Sequence, residues 1–194
     1  MRHLPYLFLF KTMTNISIRK CSLADVDILF TISRSTFRET YEYDAIKEHV
    51  SSYLEKEMSK DKVKDSISDE KCTFYVAELD GSVVGYMKFV EDNPAIQEKG
   101  KTITLDRLYV LKRFQNHRIG SLLIERCINE AQKCVSGSWI IVNVWSENQR
   151  AINFYSKYGF SKFGESEFEL GGIIRKGILM RVFFPSLNSE EGHD

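Results

Sequence analysis

The chain changes its hydrophobic period many times between its two ends. Asn15 to Lys20 alternates apolar and polar residues, as a short half-buried strand does. Ser22 then stands where a helix N-cap belongs. Val26, Leu29, Phe30, Ser33 and Phe37 lay out the apolar face of the helix behind it. A second helix is expected over Ala45 to Met58, and the charged stretch from Lys60 to Lys71 reads as a loop. Thr73 to Leu79 and Val83 to Val90 are strands, joined by Asp80-Gly81, a tight hairpin signal. A polar connection over Asn93 to Lys101 leads into a strand at 102–111 and an amphipathic helix at 118–134. Trp139 to Trp145 is apolar on both faces and so belongs in the middle of a sheet. Ser146 heads the next helix as N-cap with Gln149 reaching back, and Gly159 suits the residue after its end. Phe160 to Glu169 and 173–184 are strands around a Gly171-Gly172 turn, and Pro185 stops the last one.

The resulting order is β-α-α-β-β-β-α-β-α-β-β. It predicts a single-domain α/β (α+β) chain, with a mixed sheet covered by helices on both faces. The layout is an extension over 1–13, one domain over 14–185 and a polar tail over 186–194. The apolar run Leu4 to Phe10 is too short to span a bilayer. No small-residue cleavage site follows it, and Lys11 interrupts it, which weighs against a signal peptide. Met13, just before the first strand, is an alternative start.

Charge narrows the function classes. Lys plus Arg and Asp plus Glu both number 27, so the net charge is zero, and non-specific nucleic-acid binding has no basic surface to rest on. Four cysteines (Cys21, Cys72, Cys127, Cys134) form no C-x-x-C pair and no zinc spacing with histidine. They read as free thiols of a cytoplasmic protein, and no metal site is expected.

The stretch most suggestive of chemistry is Gln115-Asn116-His117-Arg118-Ile119-Gly120-Ser121. A polar turn that opens a helix presents free N–H groups and the positive end of a helix dipole, which suit a phosphate. Many ordinary helices also begin this way. It is not a P-loop, since no Gly-Lys-Ser/Thr follows, and it lacks the three glycines of a dinucleotide turn. In the helix after the central strand, Asn148 and Tyr155 lie two turns apart and share a stripe with Ala151 and Ile152. A half-buried tyrosine packed there for structure alone would give the same spacing.

These segments together resemble the GNAT superfamily of acyl-CoA N-acyltransferases. The resemblance lies in Leu108-Tyr109-Val110, the turn from Gln115 to Gly120, and the run Val144 to Phe160 with Asn148 and Tyr155. It covers residues 16–184. Within the superfamily the chain is most similar to PaiA-type polyamine acetyltransferases, through Ile18 to Ser22, Thr36 to Tyr41, Tyr53 to Glu55 and Arg107 to Val110. The family's turn pattern is Gln/Arg-x-x-Gly-x-Gly/Ala, and here Arg118 replaces its first glycine.

The resemblance implies a mostly antiparallel sheet, splayed between the strands at 102–111 and 139–145. It implies an enzyme that moves the acetyl group of acetyl-CoA directly to a primary amine, with spermidine or spermine the best match. Acceptance of a protein or peptide amine, or a weakly catalytic acetyl-CoA-binding regulator, would use the same fold. Leu108, Tyr109 and Val110, the turn residues Gln115, Asn116, His117, Arg118, Ile119, Gly120 and Ser121, and Asn148 would hold the cofactor. An N–H of Tyr109 or Val110 would meet the oxyanion. Tyr155 would protonate the departing thiolate, and Asp106 is the candidate base. Glu39 and Glu42 would bind a cationic acceptor. By family analogy a homodimer is an option, and neither nucleic acid nor membrane is an expected partner.

Overall fold

A computed structural model describes residues 15–41, 47–93, 101–133 and 137–186. The extension over 1–13, the tail beyond Ser186, Cys134 and Glu42 lie outside the described residues. Seven strands form one sheet: β1 (Ile16–Lys20), β2 (Cys72–Leu79), β3 (Ser82–Glu91), β4 (Thr102–Val110), β5 (Ser138–Trp145), β6 (Ser161–Leu170) and β7 (Ile173–Phe184). The helices are α1 (Val26–Tyr41), α2 (Lys47–Glu57), α3 (Lys60–Ser68), α4 (Ile119–Gln132) and α5 (Gln149–Ser156). The strand order is β1-β2-β3-β4-β5-β7-β6. All neighbours run antiparallel except β4 and β5, so the mixed, mostly antiparallel sheet expected from the sequence is present.

Two features of this fold depart from the sequence reading. Lys60 to Ser68 is a helix rather than a loop: Ser59 accepts a hydrogen bond from the Lys62 amide, and Val63 is buried against α1 and the sheet. Its remaining positions face solvent and carry charge, which masked a narrow apolar stripe of Val63 and Ile67. The N-cap of α5 is Asn148, not Ser146; Asn148 Oδ1 accepts from the Ala151 amide at 3.0 Å. Ser22 does cap the first helical turn, where its amide donates to Asp25 Oδ2 at 2.8 Å.

Helices cover both faces. Between the sheet and α4 lies the main core, with Leu105, Ile119, Leu123, Ile124, Cys127, Ile140 and Tyr155. The opposite face holds two smaller cores under α1, α2 and α3: one around Leu29, Val76 and Tyr86, the other around Phe37, Leu54 and Leu170.

The arrangement that matters for function is at β4. Its register with β5 runs from Thr102↔Trp139 to Leu105↔Val142 and then stops. Beyond that point β4 continues along β3 to Val110↔Gly85, while β5 continues along β7 to Trp145↔Gly177. The two middle strands therefore diverge. The divergence begins at a bulge: Lys88 pairs with Arg107 and Phe89 with Leu105, so Asp106 has no residue opposite it on β3.

Close packing on the other edge of β4 fixes its path. A Cβ added at Gly85 would lie 2.8 Å from the Tyr109 carbonyl oxygen, a backbone atom that cannot move alone. Gly85→Ala is expected to lower stability by about 1–3 kcal/mol, the usual range for an overpacked site. Urea unfolding of the two proteins, compared at equal slope, checks this.

Candidate functional site

Strand alternation decides which backbone groups of β4 face the opening. Leu111 N donates to Val84 O at 2.9 Å across the β3 side. The amide one residue earlier must face the other way, so the Val110 amide points into the opening and the Tyr109 amide points at β3. That narrows the expectation that either amide could meet an oxyanion: Tyr109 N–H is committed to the sheet. The Val110 carbonyl, on the opening side, accepts from Gln115 Nε2 at 3.1 Å.

Beyond β4 the chain makes a short 3-10 turn over Lys112–Phe114 and then the turn that opens α4. Asn116 has φ 69° and Arg118 has φ 61°, both in the left-handed region. Arg118 is the N-cap of α4 and its side chain is exposed. A side chain there costs about 1–2 kcal/mol relative to an ordinary helical conformation. Arg118 thus keeps the backbone conformation that glycine would adopt freely, and the backbone amides of the turn keep their glycine-like orientation.

Several bonds hold that turn against its strain. His117 Nδ1 donates to the carbonyls of Gln115 and Phe114, at 3.0 and 3.2 Å, so the ring bends back onto its own turn. Arg150, near the start of α5, donates to Gln115 Oε1 and, at 3.2 Å, to Asn116 Oδ1. Sequence reasoning passed over Arg150. Its signal was its place two residues beyond Asn148, on the helix facing the turn, but only the fold brings it there. Ile119 is buried in the core, Gly120 sits 3.6 Å from the Phe154 ring as judged by an added Cβ, and Ser121 is half-buried on the first turn of α4.

Tyr155 and Asn148 stand at opposite ends of α5, and Ala151 and Ile152 pack on the same core as Tyr155. Tyr155 is buried in the main core between Phe154 and Phe160, with ring centroids 5.2 and 5.4 Å away. Burial, with Tyr109 and Cys127 nearby, pushes its phenol well above the ordinary range, so it stays protonated at any physiological pH. Asn148 is half-buried and spends its carbonyl oxygen on the helix cap.

Asp106, the bulged residue, is exposed, and its Oδ2 lies 2.9 Å from Lys88 Nζ and 3.6 Å from Arg107 Nε. Its side chain keeps 39% of its surface open, so neighbouring groups strip away only part of its water, and Arg107 and Lys88 outweigh that loss and hold the carboxyl below its usual range. Glu39 does not reach out from α1 as a free carboxylate: its Oε2 accepts from the Lys112 amide at 2.7 Å and pins the corner after β4. The side chains of Leu108 and Val110 pack on the α4 face, and that of Tyr109 packs on the α1 face. Around Tyr109 stand Phe37, Tyr41, Tyr53, Trp145 and Tyr86, an aromatic wall beside the opening. The described residues contain no cluster that could hold a metal ion, no disulfide among Cys21, Cys72 and Cys127, and no helix long and apolar enough to cross a membrane.

Arg118 gives a direct test of the strained turn. Arg118→Gly relieves the left-handed side chain but frees the unfolded chain, and the two effects leave stability within about 0.5 kcal/mol of wild type. Arg118→Val puts a β-branched residue in the same conformation and is expected to lose about 1–2 kcal/mol. Thermal and urea unfolding of both variants read the difference.

A family model described as the acetyltransferase (GNAT) family matches residues 32–160. The chain is 32% identical over 160 residues to an N-acetyltransferase from the pepI 3′ region of Lactobacillus delbrueckii subsp. lactis, covering 82% of this chain and 92% of that protein. It is 27% identical to an N-alpha-acetyltransferase of Sulfurisphaera tokodaii, over 75% of this chain and 80% of that one. Among solved structures, PaiA N-acetyltransferase of Thermoplasma acidophilum, crystallised with coenzyme A, shares the fold with a TM-score of 0.70 at 22% identity, over 88% of this chain and 99% of that one. The strands that part at Leu105 and the turn that opens α4 are thus the frame of an acetyltransferase, and the chain belongs to the GNAT family of N-acetyltransferases.

Proposed function

We propose that the opening between β4 and β5 takes acetyl-CoA, and that the chain transfers the acetyl group directly to a primary amine. One observation carries this. A strand edge that turns the amides of Leu108 and Val110 toward the opening runs straight into the turn over Asn116 to Arg118 that opens α4, where helix geometry leaves the first amides without intrahelical partners. An extended pantetheine arm fits the first as an added strand, and a pyrophosphate fits the second. Bound acetyl-CoA supplies the activated thioester.

The residues then divide the work. The Val110 amide, aimed into the opening, donates to the thioester oxygen as negative charge develops on it. Gln115, Asn116, His117, Arg118, Ile119, Gly120 and Ser121 form the phosphate grip, and Arg150 braces it. Asn148 ends the wall of the opening that α5 provides. Tyr155 delivers a proton to the leaving sulfur; burial keeps the phenol protonated but makes it a weaker acid, so its contribution rests on position. Asp106 accepts the proton of the incoming ammonium through water. The ion pairs that depress its basicity make this the smaller contribution.

For the acceptor we favour a polyamine such as spermidine or spermine. The sequence resemblance to PaiA-type enzymes supports this, as does the aromatic wall at the acceptor side. Aromatic faces attract alkylammonium groups, and Arg175 already lies 5.5 Å over the Trp145 ring. The amino terminus of a peptide is the second reading, favoured by the likeness to the Sulfurisphaera protein. Release of free thiol from acetyl-CoA, measured across spermidine, spermine, a peptide with a free N-terminus and an aminoglycoside, separates them. Thiol release with the peptide alone would sink the polyamine reading, and failure of every one of these amines to release thiol would sink the transferase reading.

Two variants test the assigned roles. Tyr155→Phe is expected to lower kcat by about 100-fold or more, the scale of a lost proton donor, with the Kd for acetyl-CoA within about twofold because no binding contact is lost. Arg150→Ala is expected to weaken acetyl-CoA binding by about tenfold, the cost of one charged hydrogen-bonding group, while kcat at saturation holds. Calorimetry and steady-state kinetics give the two readouts.

A further inference from the structure

On the α1 face, away from the phosphate turn, a cavity of about 260 Å³ lies between α1, α3 and strands β2 to β4. Its floor includes Tyr86, Lys88 and Arg107. Tyr86 is 1% exposed; the Arg107 guanidinium stands beside its buried hydroxyl, and no described residue accepts the O–H proton. A buried donor left without an acceptor costs about 1–3 kcal/mol, so such groups are normally satisfied by something. Lys88 and Arg107 both turn to the same carboxylate, Asp106, which leaves two cations at the floor sharing one anion.

The rim differs in charge. It carries the Glu57–Lys62 pair, at 2.7 Å, and the exposed Asp65. Ser33 Oγ in the wall donates to the Phe30 carbonyl at 3.2 Å, so toward a ligand it is left to accept. The cavity is smaller than the ~300–1,000 Å³ typical of drug-sized sites, which excludes a nucleotide. Its polarity runs from donors and cations inside to carboxylates outside. A polycation is refused by that floor.

We propose that this cavity is a second binding site, for a small ligand that carries a carboxylate at one end and an ammonium at the other. The carboxylate meets Tyr86, Lys88 and Arg107, and the ammonium meets Asp65 and Glu57. The site opens on the α1 face beside the aromatic wall, with which it shares Tyr86, and its test does not depend on the acceptor assigned above. Because the carboxylate competes with Asp106 for Lys88 and Arg107, occupancy also loosens the ion pairs at the bulge.

The probes are γ-aminobutyrate, butyrate and spermidine, titrated calorimetrically into the full chain without acetyl-CoA. The expected result is binding of γ-aminobutyrate in preference to both others. Tyr86→Phe removes the hydroxyl without disturbing the fold, and is expected to weaken γ-aminobutyrate about tenfold. Asp65→Asn, at an exposed position, is expected to weaken γ-aminobutyrate about threefold and leave butyrate unchanged. Thiol release on adding acetyl-CoA with γ-aminobutyrate would identify the bound ligand as an acceptor, and its absence would identify an effector; both retain the site. Equal affinity in Tyr86→Phe and wild type, no binding of γ-aminobutyrate, or tighter binding of spermidine that Asp65→Asn abolishes would overturn it. Since polyamine acetylation is assayed separately, failure here leaves the transferase reading standing, and the reverse also holds.

Discussion

The site depends on where the hydrogen bonding between β4 and β5 ends. After Leu105↔Val142 the two strands have no further partners in each other, yet each remains paired on its outer edge. A sheet that opens in its middle exposes backbone donors and acceptors that would be costly to bury unpaired. The bulge at Asp106 lets β4 turn away, and Gly85, packed against the Tyr109 carbonyl, lets β3 follow it closely. Neither strand can close the gap without losing a full ladder on its other side. The opening is therefore stable because its walls are held from outside, and a ligand can supply the missing partners.

The main features of this arrangement were legible in the sequence because they rest on strong periodicity. Trp139 to Trp145, apolar on both faces, announced a central strand, and it is one. Asp80-Gly81 marked the β2–β3 hairpin, with Asp80 at φ 49° and Gly81 at φ 79°. What escaped were features that depend on few residues or on distant ones. The helix at Lys60–Ser68 buries little more than Val63, so its charged face dominated the pattern. Ser146 and Asn148 are both good caps, and local sequence does not rank them; the bond from the Ala151 amide does. Glu39 looked like a free acidic residue until the fold brought Lys112 N to it. Arg150 needed the fold too, since its partners Gln115 and Asn116 lie on another element.

The cations around the bulge carry a further consequence for the chemistry. Asp106 is the carboxylate next to the opening, yet Lys88 and Arg107 flank it and lower its pKa. A base held in this way accepts protons weakly at neutral pH. Tyr155, buried and raised, is in the opposite condition and keeps its proton. Both shifts lead away from neutrality, so each group holds its resting protonation state firmly and is a weaker base or acid than its free counterpart.

The turn before α4 shows how a departure from a motif can be absorbed. Glycine at position 118 would allow the left-handed backbone without strain; Arg118 adopts it anyway, as does Asn116. The side chain could have been accommodated by rotating the backbone into an ordinary helical conformation, but that would have turned the amides away from the space before α4. Instead the conformation is kept and braced from three directions: His117 onto its own turn, Gln115 onto the Val110 carbonyl, and Arg150 from α5 onto both Gln115 and Asn116. The braces also join the turn to β4, since Val110 presents its carbonyl to Gln115 and its amide to the opening. Gln115 thus ties the turn, through one side chain, to the residue whose backbone amide faces the opening.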